Sequence, residues 1–231
     1  MAVVAERPAT TPTLIEAIPA ADPAPLGLAA FALTTFILSG NNATFIPDII
    51  WVGLALFYGG LTQLLAGMWE FRNRNVFGAT AFSTYGGFWL SLGAFVVLAE
   101  TTKLGTALKA ADVPNSLAWF LFAFAIFNTY MLLWSMRVSI AVFLVFLTLE
   151  ITEIVLAIGF WDEAHGHANN GWIHTGGWIG IVTAAVAWYA SAAGVVNGMS
   201  EAGPVLPVGS PFAGRLPGLS RSPMPRRAEV R

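Results

Sequence analysis

Cysteine is absent from the chain. This excludes a disulfide frame, a thiol nucleophile and a thiolate metal site. Charge is scarce as well: Asp, Glu, Lys and Arg make up 10% of the residues, against about a quarter in a soluble domain. With a mean hydropathy of +0.69, that scarcity assigns the chain to lipid. The net charge is −2 and no basic stripe occurs, so no nucleic-acid partner is expected. A basic leader followed by a short apolar core is also missing. The first residues, MAVVAERPATTPTLIEAIPAADPAP, hold acids and prolines, so they do not read as a secretory signal, and insertion is expected to use the first true span.

What the chain does have is long apolar runs. Crossing about 30 Å of hydrocarbon takes roughly 20 residues, and six stretches are long enough: 26–45, 49–69, 79–99, 116–136, 138–160 and 172–199. The expected fold is therefore an all-α polytopic membrane protein with six transmembrane helices across 26–199. The flanks, 1–25 and 200–231, are rich in Pro with Ala, or in Pro, Gly and Arg, and read as disordered tails. An even number of spans puts both tails on one side with the second and fourth loops. That side holds Arg7, Arg72, Arg74, Arg137, Arg215, Arg221, Arg226, Arg227 and Arg231, while the other holds only Lys103 and Lys109. The excess predicts cytoplasmic termini in a cell's inner (plasma) membrane.

The run FYGGLTQLLAGMWEFRNRNVFGATAFSTYGGFW (57–89) is seeded with Gly, Gln, Thr, Ser and Tyr where lipid-facing helices carry Leu and Val. Polar groups in a bilayer need a partner helix or a watery path. The segment thus predicts two close-packed helices lining something polar. Gly176, Gly180, Ala184, Ala187, Ser191, Gly194 and Gly198 form a small-residue stripe along span six, a surface that lets helices approach closely. Gly53, Gly60 and Gly67 are expected to share a face of span two, as are Thr80, Ser83, Gly87, Ser91 and Ala94 on span three. Small-residue packing in so short a chain also favours an oligomer. At the start of span one, Asp22 followed by Pro23 reads as a helix N-cap with Pro at the first helical position. That N-terminus is either an ordinary capped start or a setting suited to a carboxylate.

DPAPLGLAAF (22–31), FYGGLTQLLAGMWE (57–70) and NVFGATAFSTYGGFW (75–89), with LAIGF (156–160) and IHTGGWIGIVTA (173–184), resemble the acetate uptake transporter family, which includes the bacterial succinate–acetate permeases. The likeness covers nearly all of 22–199. It implies six helices and a pore in each protomer, a homo-hexameric ring, and passage of acetate and related short carboxylates, with succinate in some members. No cofactor and no catalysis are implied. The family's first motif, here Asp22, Pro23, Pro25 and Gly27, usually begins with Asn, and Val76 stands where Thr is common. The resemblance further implies a hydrophobic constriction at Phe31, Tyr85 and Leu149.

Such a constriction suits a small acid with a methyl end, because apolar groups dewet a pore against hydrated ions. Tyr85 could offer its O–H to a passing carboxylate while its ring fills space. Gln63 reads either as path lining or as an interhelical hydrogen bond. Thr34, Thr35 and Thr62 supply hydroxyls, and Phe31, Thr35 and Leu38 share one helix face. Glu150 and Glu153, at i and i+3 in span five, are harder to explain as packing, since an intramembrane carboxylate costs about 2.5–3.5 kcal/mol even on a lenient scale. Either one of them is protonated and takes part in proton-coupled carboxylate movement, or the pair hydrogen-bonds a neighbouring helix or subunit. Glu70 and Glu100 at span ends read as interfacial. The 161–174 loop holds Asp162, Glu163, His165, His167 and His174. It is either a metal-binding or enzymatic site or, more ordinarily, a solvated outer loop. A pore for small neutral solutes such as ammonia or urea is the alternative within transport.

Overall fold

A computed structural model describes residues 20–47, 49–101, 112–167 and 171–212. All regular structure among them is helical. Six helices are long and apolar enough to cross a membrane: α1 (Ala24–Asn42), α2 (Ile50–Arg72), α3 (Val76–Thr101), α4 (Asp112–Ser135), α5 (Ile140–Ala164) and α6 (Gly171–Met199). Their starts carry local signals. Asp22 Oδ1 accepts from the Ala24 N–H at 2.9 Å, although the helix begins one residue later than Pro23 suggested. Asn75 Oδ1 accepts from the Gly78 N–H at 3.1 Å, and Ser139 Oγ from the Val142 N–H at 3.2 Å. Each bond satisfies an amide that the first helical turn leaves free.

The helices form a closed ring in chain order, α6 returning to α1. Lipid tails are as apolar as Leu, so association depends on close packing rather than on escape from water. Small residues of α6 supply that packing within the protomer, Gly177 beside the stripe among them, while Gly198 of the stripe meets nothing within 4 Å. Gly177 lies against the backbone of Ser39–Ala43, Gly180 against the Ser39 side chain, Gly176 against Leu156 and Gly194 against Pro25. The α3–α4 seam is built differently, from rings: Tyr85 with Phe124 and Phe127, and Phe88 with Phe120 and Phe124, at centroid separations of 4.8–6.2 Å.

In α2 the shared glycine face breaks. Gly53 meets nothing within 4 Å, whereas Gly60 packs on Leu90 and Gly67 on Ser83. The cause is a π-helical section, Phe57–Thr62, which widens the turn and shifts the face presented by everything after it. Gly59 within it packs on the Thr34 side chain.

Arg72 and Arg74 border the α2–α3 turn and Arg137 the α4–α5 turn. Both turns lie at the end where Asn73 Nδ2 donates to the Ala21 carbonyl at 3.3 Å. The remaining arginines and both lysines of the charge count lie outside the described residues. Residues 200–212, which composition assigned to a disordered tail, return along the bundle in the described structure. Asn197 Oδ1 accepts from the Val205 and Leu206 N–H groups at 2.7 and 2.9 Å. Tyr189 donates to the Pro207 carbonyl at 2.6 Å, and the Ala141 N–H donates to the Val208 carbonyl at 2.9 Å. Polar anchors on α6 thus override a Pro- and Gly-rich composition. Tails 1–19 and 213–231 lie outside the described residues.

A Cβ at Gly177 would sit 2.6 Å from the Ala43 amide nitrogen, a backbone atom that cannot swing aside. Gly177→Val is expected to cost about 1–3 kcal/mol through overpacking, and Gly53→Ala to be nearly neutral, as thermal unfolding in detergent would show.

Candidate functional site

Two cavities enter the bundle from opposite ends. The larger, about 460 Å³, is bordered at its mouth by Asn41, Asn42, Thr44, Glu100 and Glu163. The smaller, about 80 Å³, lies at the arginine-bearing end beside Ala24, Glu70, Asn75 and Val138. Three residues line both: Phe31 of α1, Tyr85 of α3 and Leu149 of α5. All are buried, and Phe31 meets Tyr85 edge-on at 5.9 Å between centroids. The two cavities therefore meet at a layer to which three helices each contribute one large group.

Other expected lining residues divide. Thr35 and Leu38 line the larger cavity on the same α1 face as Phe31, and Thr35 Oγ1 has no partner among the described residues. Gln63 is buried and lines the smaller cavity, its Oε1 likewise unpartnered. Thr34 and Thr62 border neither cavity. The Thr34 hydroxyl donates to the Ala30 carbonyl at 2.9 Å beneath Gly59. The Thr62 hydroxyl donates to the Phe57 carbonyl at 2.9 Å inside the π-helical section. In both, a threonine four or five residues beyond a carbonyl satisfies itself along its own helix. The first motif supplies the frame of the smaller cavity's mouth. Pro25 accepts from Ser191 Oγ at 2.6 Å, and Gly27 gives room to the Phe82 ring. Asp22, Pro23, Pro25 and Gly27 themselves do not line it, while Ala24 and Leu28 do. Glu70, expected at the interface, is instead 1% exposed and lines the smaller cavity.

Behind Tyr85 stands a residue that sequence reasoning missed. Asn128 of α4 is fully buried. Its Nδ2 donates to the Phe146 carbonyl at 2.9 Å and to Glu150 Oε2 at 2.7 Å. That fixes the amide orientation, so Oδ1 accepts from the Tyr85 hydroxyl at 2.9 Å. Thr129 Oγ1 donates to Glu150 Oε1 at 2.8 Å. Tyr85 Oη also lies 3.3 Å from Glu153 Oε1. Its one proton is committed to Asn128, so Tyr85 offers Glu153 only lone pairs, and a hydrogen bond there uses a proton carried by Glu153. Glu153 is 2% exposed and borders the larger cavity, with Oε2 unpartnered. The i, i+3 pair thus separates: Glu150 turns to α4, and Glu153 to Tyr85 and the cavity. The signal for Asn128 was its isolation as an amide within FAFAIFNTYMLL.

The histidines hold separate partners. His165 Nδ1 is 2.6 Å from the Trp161 carbonyl, and His167 Nδ1 is 2.7 Å from Asp162 Oδ1. His174 Nε2 accepts from Trp178 at 3.4 Å. Among the described residues no three His, Asp or Glu converge to hold a metal ion.

The family description of GPR1/FUN34/yaaH proteins matches residues 7–206. The chain belongs to the GPR1/FUN34/yaaH family. It is 44% identical over 194 residues to acetate permease A of Emericella nidulans, covering 79% of this chain and 64% of that one. The chain therefore spans about two thirds of the length of that fungal member. Succinate-acetate/proton symporter SatP of Escherichia coli is 36% identical, across 77% of this chain and 89% of its own. Among solved structures, the bacterial acetate channel SatP superposes with a TM-score of 0.73 at 34% identity, over 82% of this chain and 99% of that one. The superposition agrees with the all-helical, six-span architecture of the family member described here.

Removing the Asn128 amide takes one partner each from the Glu150 carboxyl, the Phe146 carbonyl and the Tyr85 hydroxyl. Asn128→Ala is expected to lower stability by about 1–3 kcal/mol, and Thr129→Val, which removes a single hydroxyl proton shared between Glu150 and the Ala125 carbonyl, by about 0.5–1.5 kcal/mol. Thermal unfolding of the two purified variants would check the order.

Proposed function

We propose that this family member is a membrane transporter for acetate and related short carboxylates, with one path in each protomer and proton movement linked to carboxylate passage. The observation that carries the reading is the narrowing at Phe31, Tyr85 and Leu149 between two cavities, in a chain whose relatives are named for acetate transport. Phe31 and Leu149 dewet the narrowing and block hydrated ions. Tyr85 acts there through its ring, since its O–H is engaged by Asn128. Glu153, beside Tyr85 and open to the larger cavity, is the proton-linked group on that side, while Glu150 orients Asn128.

The protein works in the plasma membrane with both termini cytoplasmic, consistent with the arginines of the second and fourth loops. A homo-hexamer is the proposed assembly. Its support is the outer part of α3, where Ser91 and Ala94 are exposed and Gly87 meets nothing within 4 Å, a small-residue surface open to a neighbouring helix.

One observation favours a second reading: no Lys, Arg or His lines either cavity among the described residues. Small neutral solutes such as ammonia or urea need no fixed cation.

Labelled acetate uptake into liposomes, corrected for protein-free vesicles, tests the first reading against the second. Acetate accumulation under an acid-outside gradient is expected. Ammonia or urea flux without acetate flux would select the alternative. Leu149→Ala should widen the narrowing and raise butyrate uptake several-fold relative to acetate. Glu153→Gln should flatten the dependence of acetate uptake on external pH; an unchanged dependence would remove Glu153 from the proton path.

A further inference from the structure

The charged side chains that line the path are all acidic among the described residues. Glu100, Glu153 and Glu163 border the larger cavity and Glu70 the smaller, with no basic side chain in either among the described residues. Anion pores are ordinarily built with Arg or Lys. An ionised carboxylate entering this one meets like charge at both ends and an apolar waist in the middle.

Glu70 is the least expected of these acids. It lies two residues from the end of α2, between exposed neighbours Trp69 and Phe71, yet is 1% exposed. The π-helical section upstream has turned its face inward, and glycine at 78 makes the room, because a Cβ there would overlap Glu70 Oε1. Oε1 has no partner, while the Asn75 side chain hydrogen-bonds the carboxyl group. Across the waist, Glu153 Oε2 is buried and unpartnered in the same way. One open carboxyl oxygen thus flanks each side of Phe31, Tyr85 and Leu149. The waist offers no donor to an anion, since the Tyr85 proton is held by Asn128. A bare carboxylate there loses its hydration with nothing in return, whereas the neutral acid loses far less.

We propose that Glu70 is the proton-exchange site on the arginine-bearing side of the path, acting with Glu153 so that the substrate crosses the waist as the neutral acid. This rests on the reading of the protein as a carboxylate transporter. From the larger cavity, protonated Glu153 gives its proton to the substrate carboxylate and becomes ionised. The neutral acid passes the waist and gives that proton to ionised Glu70, leaving as carboxylate. Glu153 is reprotonated from its own side and Glu70 releases its proton to the other, so one proton accompanies each carboxylate and no net charge moves. The reverse direction uses the same steps.

The groups around each carboxyl fit this traffic. Near Glu70 stand Asp22 ahead of α1, Asn75, Gly78 of α3, Gln63 of its own helix, and only apolar residues of α5. Around Glu153 stand Tyr85 of α3, Glu150 of its own helix and Asn128 of α4 behind them, with Thr35 of α1 on the same cavity. Thr183 of α6 is bonded to Thr152 at 3.1 Å beside it, and no basic group lines either cavity among the described residues.

The test uses the full chain in liposomes, with labelled acetate under an acid-outside gradient and an internal pH dye. Glu70→Gln, with unchanged assembly and thermal unfolding, is expected to lose acetate-coupled proton uptake by roughly a hundredfold or more, the scale of a lost acid–base group. Glu70→Asp, which keeps an exchangeable proton, should retain a substantial part. Wild-type protein should carry trifluoroacetate, a carboxylate of similar shape and much weaker basicity, far more slowly than acetate. Coupled uptake in Glu70→Gln close to the wild-type value would overturn the role of Glu70. Equal wild-type rates for the two carboxylates would overturn crossing as the neutral acid, including when Glu70→Gln fails to fold. Absence of any acetate flux in the wild type would instead overturn the transporter reading.

Discussion

The Tyr85 hydroxyl is committed to Asn128, and the centre of the bundle is arranged around that bond. Asn128 can accept from Tyr85 because its amide is turned by two donations, to Glu150 and to the Phe146 carbonyl. One side chain of α4 therefore ties α3 to α5. The bond also holds the Tyr85 ring at the meeting of the two cavities and leaves Glu153 facing the larger one. A hydrogen bond in lipid has no water to compete with it, and an unmet one has no water to repair it. Polar groups so placed fix geometry more than they add stability.

Away from that centre the bundle is held by fit. Small residues on α6 bring α1 and α5 close, while aromatic rings span the wider α3–α4 seam. The two devices have opposite shapes but meet the same requirement, since lipid supplies no hydrophobic drive between helices. The π-helical section of α2 gives this packing a functional consequence. By shifting the face of the helix after Thr62, it turns Gln63 and Glu70 into the smaller cavity and leaves Gly53 outside.

Electrostatically, the charged side chains that line the two cavities are acidic, and none among the described residues is basic. In low dielectric an unpaired carboxylate is costly, and two near one another are costlier. A carboxyl group escapes that cost by taking up a proton, whereas an ammonium or guanidinium would have to lose one, and an anion path favours its keeping the charge. Acidic lining therefore suits a cargo that exchanges protons with the wall. Relatives of this chain are named both as a channel and as a proton symporter, and the proposed proton exchange at the wall would give a narrow pore a means of coupling.

Sequence alone determined the membrane class, the number of spans and, through motif likeness, the family. These follow from hydropathy over whole helices and from local motifs, which survive any detail of packing. Only the tertiary structure decided what faced what. Thr34 and Thr62 became internal helix bonds, Glu70 moved from an expected interface to a buried cavity wall, and Glu150 parted from Glu153. Residues 200–212 gained anchors, and Asn128 emerged as the partner of Tyr85. Helical periodicity assigns a residue to a face only while the turn is regular, and the π-helical section of α2 breaks that rule. Hydrogen bonds between helices depend on crossings that no single span encodes. The sequence set which residues lie in the membrane; the crossing of six helices set which of them meet.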